Sequence, residues 1–112
     1  MDHKVNILSI TCHVPDEADL DEIYILWNGR QVWPEEGRFE RAKIGMTRLD
    51  IELGTQPSDR EIRIELWDHD SLSRNDHLGD FILMPDKLGS FSSELTSPIS
   101  REVKYSLEWE VD

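Results

Sequence analysis

Three segments of this chain alternate apolar and polar residues with a period of two, the pattern of strands with one buried face. Val103-Lys104-Tyr105-Ser106-Leu107-Glu108-Trp109-Glu110-Val111 alternates most cleanly, and Glu61-Ile62-Arg63-Ile64-Glu65-Leu66 and Arg48-Leu49-Asp50-Ile51-Glu52-Leu53 follow it. No segment keeps a helical apolar period for three turns. Further strands are expected at residues 5–12, which are rich in β-branched side chains, at 23–27, at 30–33 and at 81–84, with a weaker candidate at 39–44. Asn28-Gly29 between the second and third marks a tight hairpin of the primed type. Ser90-Phe91-Ser92-Ser93-Glu94, between Pro85 and Pro98, reads as a loop with one helical turn. Seven to eight short strands with frequent turn signals predict an all-β fold, a single antiparallel β-sandwich spanning residues 1–112.

The most concentrated chemistry lies between two of these strands. Asp68, Asp70 and Asp76 fall within nine residues, in Trp67-Asp68-His69-Asp70-Ser71-Leu72-Ser73-Arg74-Asn75-Asp76-His77-Leu78-Gly79. Carboxylates converging on one loop repel, each pair by about 3 kcal/mol at roughly 5 Å and an effective dielectric near 20. A calcium ion, which takes six to eight oxygen ligands in flexible geometry, would offset that repulsion. A solvated acidic turn with splayed side chains is the alternative. The spacing excludes an EF-hand: counted from Asp68, the sixth place is Ser73 where that loop needs Gly, and the twelfth is Gly79 where it needs Glu.

Leu66, Trp67, Asp68, Asp70, Asp76, Leu78 and Gly79 stand in the register of the third calcium-binding loop of a C2-type domain, which this segment resembles. The resemblance implies a calcium- and lipid-binding β-sandwich, with Ser73 at the middle of the loop. It also implies further ligands from an earlier loop, ahead of a strand that begins near a Tyr. With Tyr24 in that place, Asp16 lies six residues before Glu22, and Asp21 competes with Glu22 for one role. Asp19 is a reserve ligand. The expected metal set is therefore Asp16, Asp21, Glu22, Asp68, Asp70 and Asp76, holding one or two calcium ions. Leu72, Ser73 and Arg74 are the expected contacts at the loop tip. Ile23 stands where the family usually has Pro, and the family's basic strand is missing. The nearest basic cluster, Arg38, Arg41, Lys43 and Arg48, reads as a solvated face, which argues against phosphoinositide recognition. The run Asp21 to Gly29, followed by Val32-Trp33-Pro34, is similar to compact bacterial relatives of this architecture.

Composition narrows the partners. The 112 residues hold 24 Asp and Glu against 12 Lys and Arg, a net charge of −12, which argues against nucleic acid as a partner. Such a surface meets an anionic membrane only after calcium reverses the local field. The single cysteine, Cys12, excludes an internal disulfide and is expected to be buried. No apolar stretch reaches the length of a transmembrane helix. Met1-Asp2-His3-Lys4 has no secretory pattern, so a cytoplasmic or peripheral setting is the default expectation.

Three classes of function follow. The leading one is a non-catalytic calcium-binding module whose ordered, neutralised loops meet a phospholipid surface or a protein partner. The second is a calcium-independent structural or adaptor domain. The third, an enzyme using paired carboxylates or His69 and His77, has no nucleophile triad, metalloprotease motif or phosphate-cradling loop behind it. Both histidines read as exposed loop residues. The four tryptophans, Trp27, Trp33, Trp67 and Trp109, are expected to pack in the core or at a sheet edge.

Overall fold

Two antiparallel sheets face each other in a computed structural model that describes residues 1–16, 20–97 and 103–112. The strands are β1 (Asp2–Val14), β2 (Glu22–Trp27), β3 (Arg30–Trp33), β4 (Glu40–Arg41), β5 (Gly45–Pro57), β6 (Ile62–Asp68), β7 (Asp76–Leu83), β8 (Gly89–Glu94) and β9 (Lys104–Val111). One sheet runs β5-β1-β9-β8, the other β3-β2-β6-β7, with β4 paired to β2. Since β1 pairs with β5 and β9 but not with β2, the chain crosses between the sheets and closes a sandwich. The described residues contain no helix.

The alternation read from the sequence becomes the inner faces of the sandwich. Ile62, Ile64 and Leu66 of β6, Phe81 and Leu83 of β7, and Tyr105, Leu107, Trp109 and Val111 of β9 are all buried. Each fully buried side chain of this size contributes about 1.5–3 kcal/mol. On β1 the inward phase changes partway along. Val5 and Ile7 are buried before a register slip at Leu8, and Ile10 and Cys12 after it. The slip is a β-bulge, and it explains why this strand does not alternate cleanly in the sequence. At the β2–β3 hairpin, Asn28 and Gly29 have φ of 54° and 77°, and Trp27 pairs with Arg30, as the primed turn requires. Trp33 and Trp109 enter the core, Trp27 packs against its margin, and Trp67 lies half-buried on the outer face.

Three elements differ from expectation. The Ser-rich segment is strand β8, so nine strands are described where seven to eight were expected. It is an edge strand held by β9: Phe91 packs on Trp109 with ring centroids 4.8 Å apart, and the Ser93 hydroxyl donates to the Ile82 carbonyl. Only one of its side chains needed to be strongly apolar, so it carried no alternation signal. The candidate at 39–44 shrinks to Glu40–Arg41, because only two pairings with β2 form there. Finally, β7 starts at Asp76, well before residue 81, and pairs along the whole length of β6.

A second bulge sits on that hairpin. Leu66 pairs with Gly79, yet Trp67 pairs with His77, so Leu78 is extra and both Leu78 and Gly79 turn inward. Asp80 next to them exchanges two backbone hydrogen bonds with Thr96, at 2.9 and 2.8 Å. A Cβ on Gly79 would lie 2.6 Å from the Thr96 carbonyl oxygen and 2.9 Å from Leu95 Cγ. Gly79→Ala is therefore expected to destabilise the fold by about 2 kcal/mol through overpacking, measured by urea denaturation.

Candidate functional site

The pairing of β2 with β6 brings both acidic loops to one end of the sandwich. Ile23 pairs with Asp68, and Asp68 pairs with Asp76 across the base of the β6–β7 loop. Asp68 is 3% exposed, and its Oδ1 accepts the Glu22 N–H at 2.9 Å. The Glu22 carbonyl in turn accepts the His69 N–H at 2.7 Å. The two loops are thus stitched through the backbone of a single residue, Glu22, whose own side chain is half-buried.

Asp21 points into the protein. It is fully buried, and its Oδ2 accepts the Tyr105 hydroxyl at 2.5 Å and the Asp16 N–H at 2.9 Å. Burial pushes the Tyr105 phenol well above its usual range, and the neighbouring Asp21 carboxylate pushes it further. Asp16 is exposed at the start of the β1–β2 loop, and Asp19 lies outside the described residues.

Asp70 organises the other loop. Its Oδ1 accepts the N–H groups of Leu72 and Ser73 at 2.9 and 3.3 Å, and its Oδ2 accepts the Ser73 hydroxyl at 2.7 Å. Its own N–H donates to Asn75 Oδ1 at 2.9 Å, and Asn75 donates onward to the Tyr24 hydroxyl at 3.0 Å. The Leu72 N–H, followed by the Ser73 hydroxyl, holds the Asp70 carboxyl below the ordinary range although it is fully exposed. Leu72 at the tip is 96% exposed, with Ser73 and Arg74 exposed beside it.

The structure thus brings Asp16, Asp21, Glu22, Asp68, Asp70 and Asp76 to one end, with Asp21 and Asp68 buried, Glu22 and Asp76 half-buried, and Asp16 and Asp70 exposed. Among the described residues, the group whose ligand atoms all lie within 4.8 Å of one another is a different one: Glu65, His77 and Asp80. Sequence reasoning did not find it. His77 is not an exposed loop residue: it lies half-buried on β7, its ring stacked on Trp67 at 4.7 Å. His69 is also half-buried, stacked on Phe39 at 4.7 Å. Arg38, Arg41, Lys43 and Arg48 are all exposed, and Arg48 pairs with Asp50 at 3.0 Å.

No protein-family model and no curated protein sequence matches this chain. Solved structures do. A C2 domain of plant extended synaptotagmin 1 superposes with a TM-score of 0.59 at 10% identity, over 99% of this chain and 93% of that one. A second C2 domain superposes with a TM-score of 0.56 at 12% identity, over 100% and 98%. This chain has the C2-type fold. At such low identity the likeness is one of architecture: two sheets, with loops gathered at their ends, over essentially the whole chain.

Within this C2-type sandwich, the Tyr105–Asp21 bond ties β9 of one sheet to the start of β2 in the other. Tyr105→Phe leaves a buried carboxylate short of a donor and is expected to cost about 1–3 kcal/mol in chemical denaturation. The pH dependence follows from the raised phenol. The folded state keeps the proton where the unfolded chain releases it, so this contribution is intact below about pH 10 and falls away above it. Wild type should therefore lose stability more steeply than Tyr105→Phe between pH 10 and pH 11.5 (about one to two units around the free-phenol value).

Proposed function

We propose that the chain is a non-catalytic binding module of C2-type fold whose acidic loop end takes one or two calcium ions and then meets a phospholipid surface or a protein partner. The observation that carries this reading is the pairing of Asp68 with Asp76 at the base of one loop, with Asp16 and Asp21 supplied beside them through β2. The donors suit the ion, since calcium prefers several hard oxygens in adaptable geometry.

Asp16, Asp68, Asp70 and Asp76 would hold the ion, with Glu22 at the margin. Asp21 would support them from behind, because its Oδ2 serves Tyr105 and the Asp16 backbone. Asp70 would have to exchange its bonds to Leu72 and Ser73 for the ion, so calcium would remodel the tip that carries Leu72 and Arg74. That coupling makes the module an electrostatic and ordering switch: neutralising the loops both removes repulsion and re-presents the exposed Leu72. The excess of 24 acidic over 12 basic residues makes nucleic acid a poor partner.

A second reading, a calcium-independent adaptor, draws on one specific observation. Asp21, Asp68 and Asp70 already receive hydrogen bonds from Tyr105, Glu22, Leu72 and Ser73, which is how carboxylates hold loops without an ion.

The first experiment is a melting curve in excess EDTA and then across a calcium titration, with magnesium as the control. The first reading expects a saturable, calcium-selective stabilisation, of about 2.7 kcal/mol at a hundredfold excess over Kd. Asp68→Asn and Asp70→Asn should abolish most of it, and Asp2→Asn should leave it intact. No shift would favour the adaptor. Sedimentation with anionic vesicles at saturating calcium separates the partners: binding marks a lipid surface, and its absence with a retained calcium shift marks a protein.

A further inference from the structure

The geometry points to a second metal site, for a transition ion of the zinc class, on the outer face of the β6–β7 hairpin at Glu65, His77 and Asp80. It uses none of the loop carboxylates and is independent of the calcium reading.

The backbone assembles this trio. Glu65 and Asp80 are direct partners across β6 and β7 and point to the same outer face. His77 is three residues before Asp80, and in a regular strand those two side chains would point to opposite faces. The bulge at Leu78 reverses the phase, so His77 and Asp80 share one face while Leu78 and Gly79 both turn inward. Asp80 is further pinned through its backbone by Thr96, an arrangement that requires the missing side chain of Gly79.

The side chains converge accordingly. His77 Nε2 lies 2.8 Å from Asp80 Oδ1 and 3.8 Å from Glu65 Oε1. Donor atoms of a tetrahedral zinc site sit about 3.3 Å apart, given metal–ligand lengths of about 2.0–2.1 Å. These two separations fall on either side of that value, and all three donor atoms lie within 4.8 Å of one another, so modest side-chain adjustment would bring them to a common ion. Trp67 fixes two of them: its ring stacks on the His77 imidazole at an interplanar angle of 12°, and its indole N–H donates to Glu65 Oε1 at 3.1 Å. All three ligands are 18–29% exposed, screened but open to an entering ion and to water as a fourth ligand.

An imidazole nitrogen with two carboxylate oxygens suits zinc, where calcium would take oxygen alone. Arg63 lies 3.6 Å from Asp80 Oδ2, the oxygen turned away from His77, and is itself 63% exposed. It can remain there as an outer partner that orients the carboxylate. Without a metal, the same atoms form a hydrogen-bonded His77–Asp80 pair, and that is the competing explanation to be tested.

The test uses the full chain, stripped with EDTA and exchanged into chelator-free buffer. Zinc is titrated by calorimetry, and cobalt(II) is followed by its visible absorption and by quenching of Trp67. One zinc per chain is expected, with a tetrahedral cobalt spectrum. His77→Gln and Glu65→Gln should each weaken zinc by at least about tenfold, whereas Asp70→Asn should leave it unchanged. Glu65→Gln retains an acceptor for the Trp67 indole, so it carries the test if the metal-free melt of His77→Gln shows lost folding. The site is overturned if zinc fails to bind saturably at one per chain. It is equally overturned if both variants bind zinc as wild type does, or if Asp70→Asn abolishes binding and so places the ion in the loops.

Discussion

The structure depends on β6 being paired on both sides. Ile62, Ile64 and Leu66 fill the core between the sheets, and the strand's two edges are taken by β2 and β7. A strand held this way has no freedom to slide, because a one-residue slip would turn all three of those side chains to solvent. Everything at the acidic loop end inherits that register. Asp68 arrives beside the Glu22 N–H and opposite Asp76, and Glu65 arrives opposite Asp80.

The second constraint is the buried carboxylate of Asp21. Burying a carboxylate is unfavourable unless it is hydrogen-bonded, and here a phenol and a backbone N–H both donate to its Oδ2. Because the phenol belongs to β9 and the carboxylate to the approach of β2, the bond joins the two sheets close to the acidic loops. It sets the position of one loop from inside the core. Asp70 does the equivalent work from outside, turning its own loop back on the Leu72 and Ser73 N–H groups. One carboxylate is anchored by tertiary structure and the other by its immediate neighbours in sequence.

The chemistry of the loop end follows from this division. Asp21, Asp68 and Asp70 each accept hydrogen bonds from neutral donors, the Tyr105 hydroxyl and backbone N–H groups among them. On the neighbouring sheet face, strands in place of a loop hold Glu65, His77 and Asp80, and the rigidity of that face sets their spacing. The C2-type fold thus presents two differently built sets of ionisable groups: carboxylates on two loops at one end, and Glu65, His77 and Asp80 on the outer face of the β6–β7 hairpin.

The all-β sandwich was legible in the chain because alternation with period two is a local property: Val103 to Val111 and Glu61 to Leu66 declare their buried faces without reference to any partner. The Asn28-Gly29 turn was legible for the same reason, since its φ angles are set by those two residues. The acidic loop could be read from spacing alone, but the depth of each carboxylate could not. Asp21 and Asp68 are buried by contacts with Tyr105 and with the Glu22 backbone, 84 and 46 residues away along the chain. Strand β8 was hidden because β9 supplies its hydrogen bonds, and the outer-face trio was hidden because a bulge reverses the phase of β7 at Leu78. Periodicity and turn chemistry are written residue by residue. Burial, register and bulges arise only when distant segments pair, so tertiary structure alone determined which ionisable groups meet.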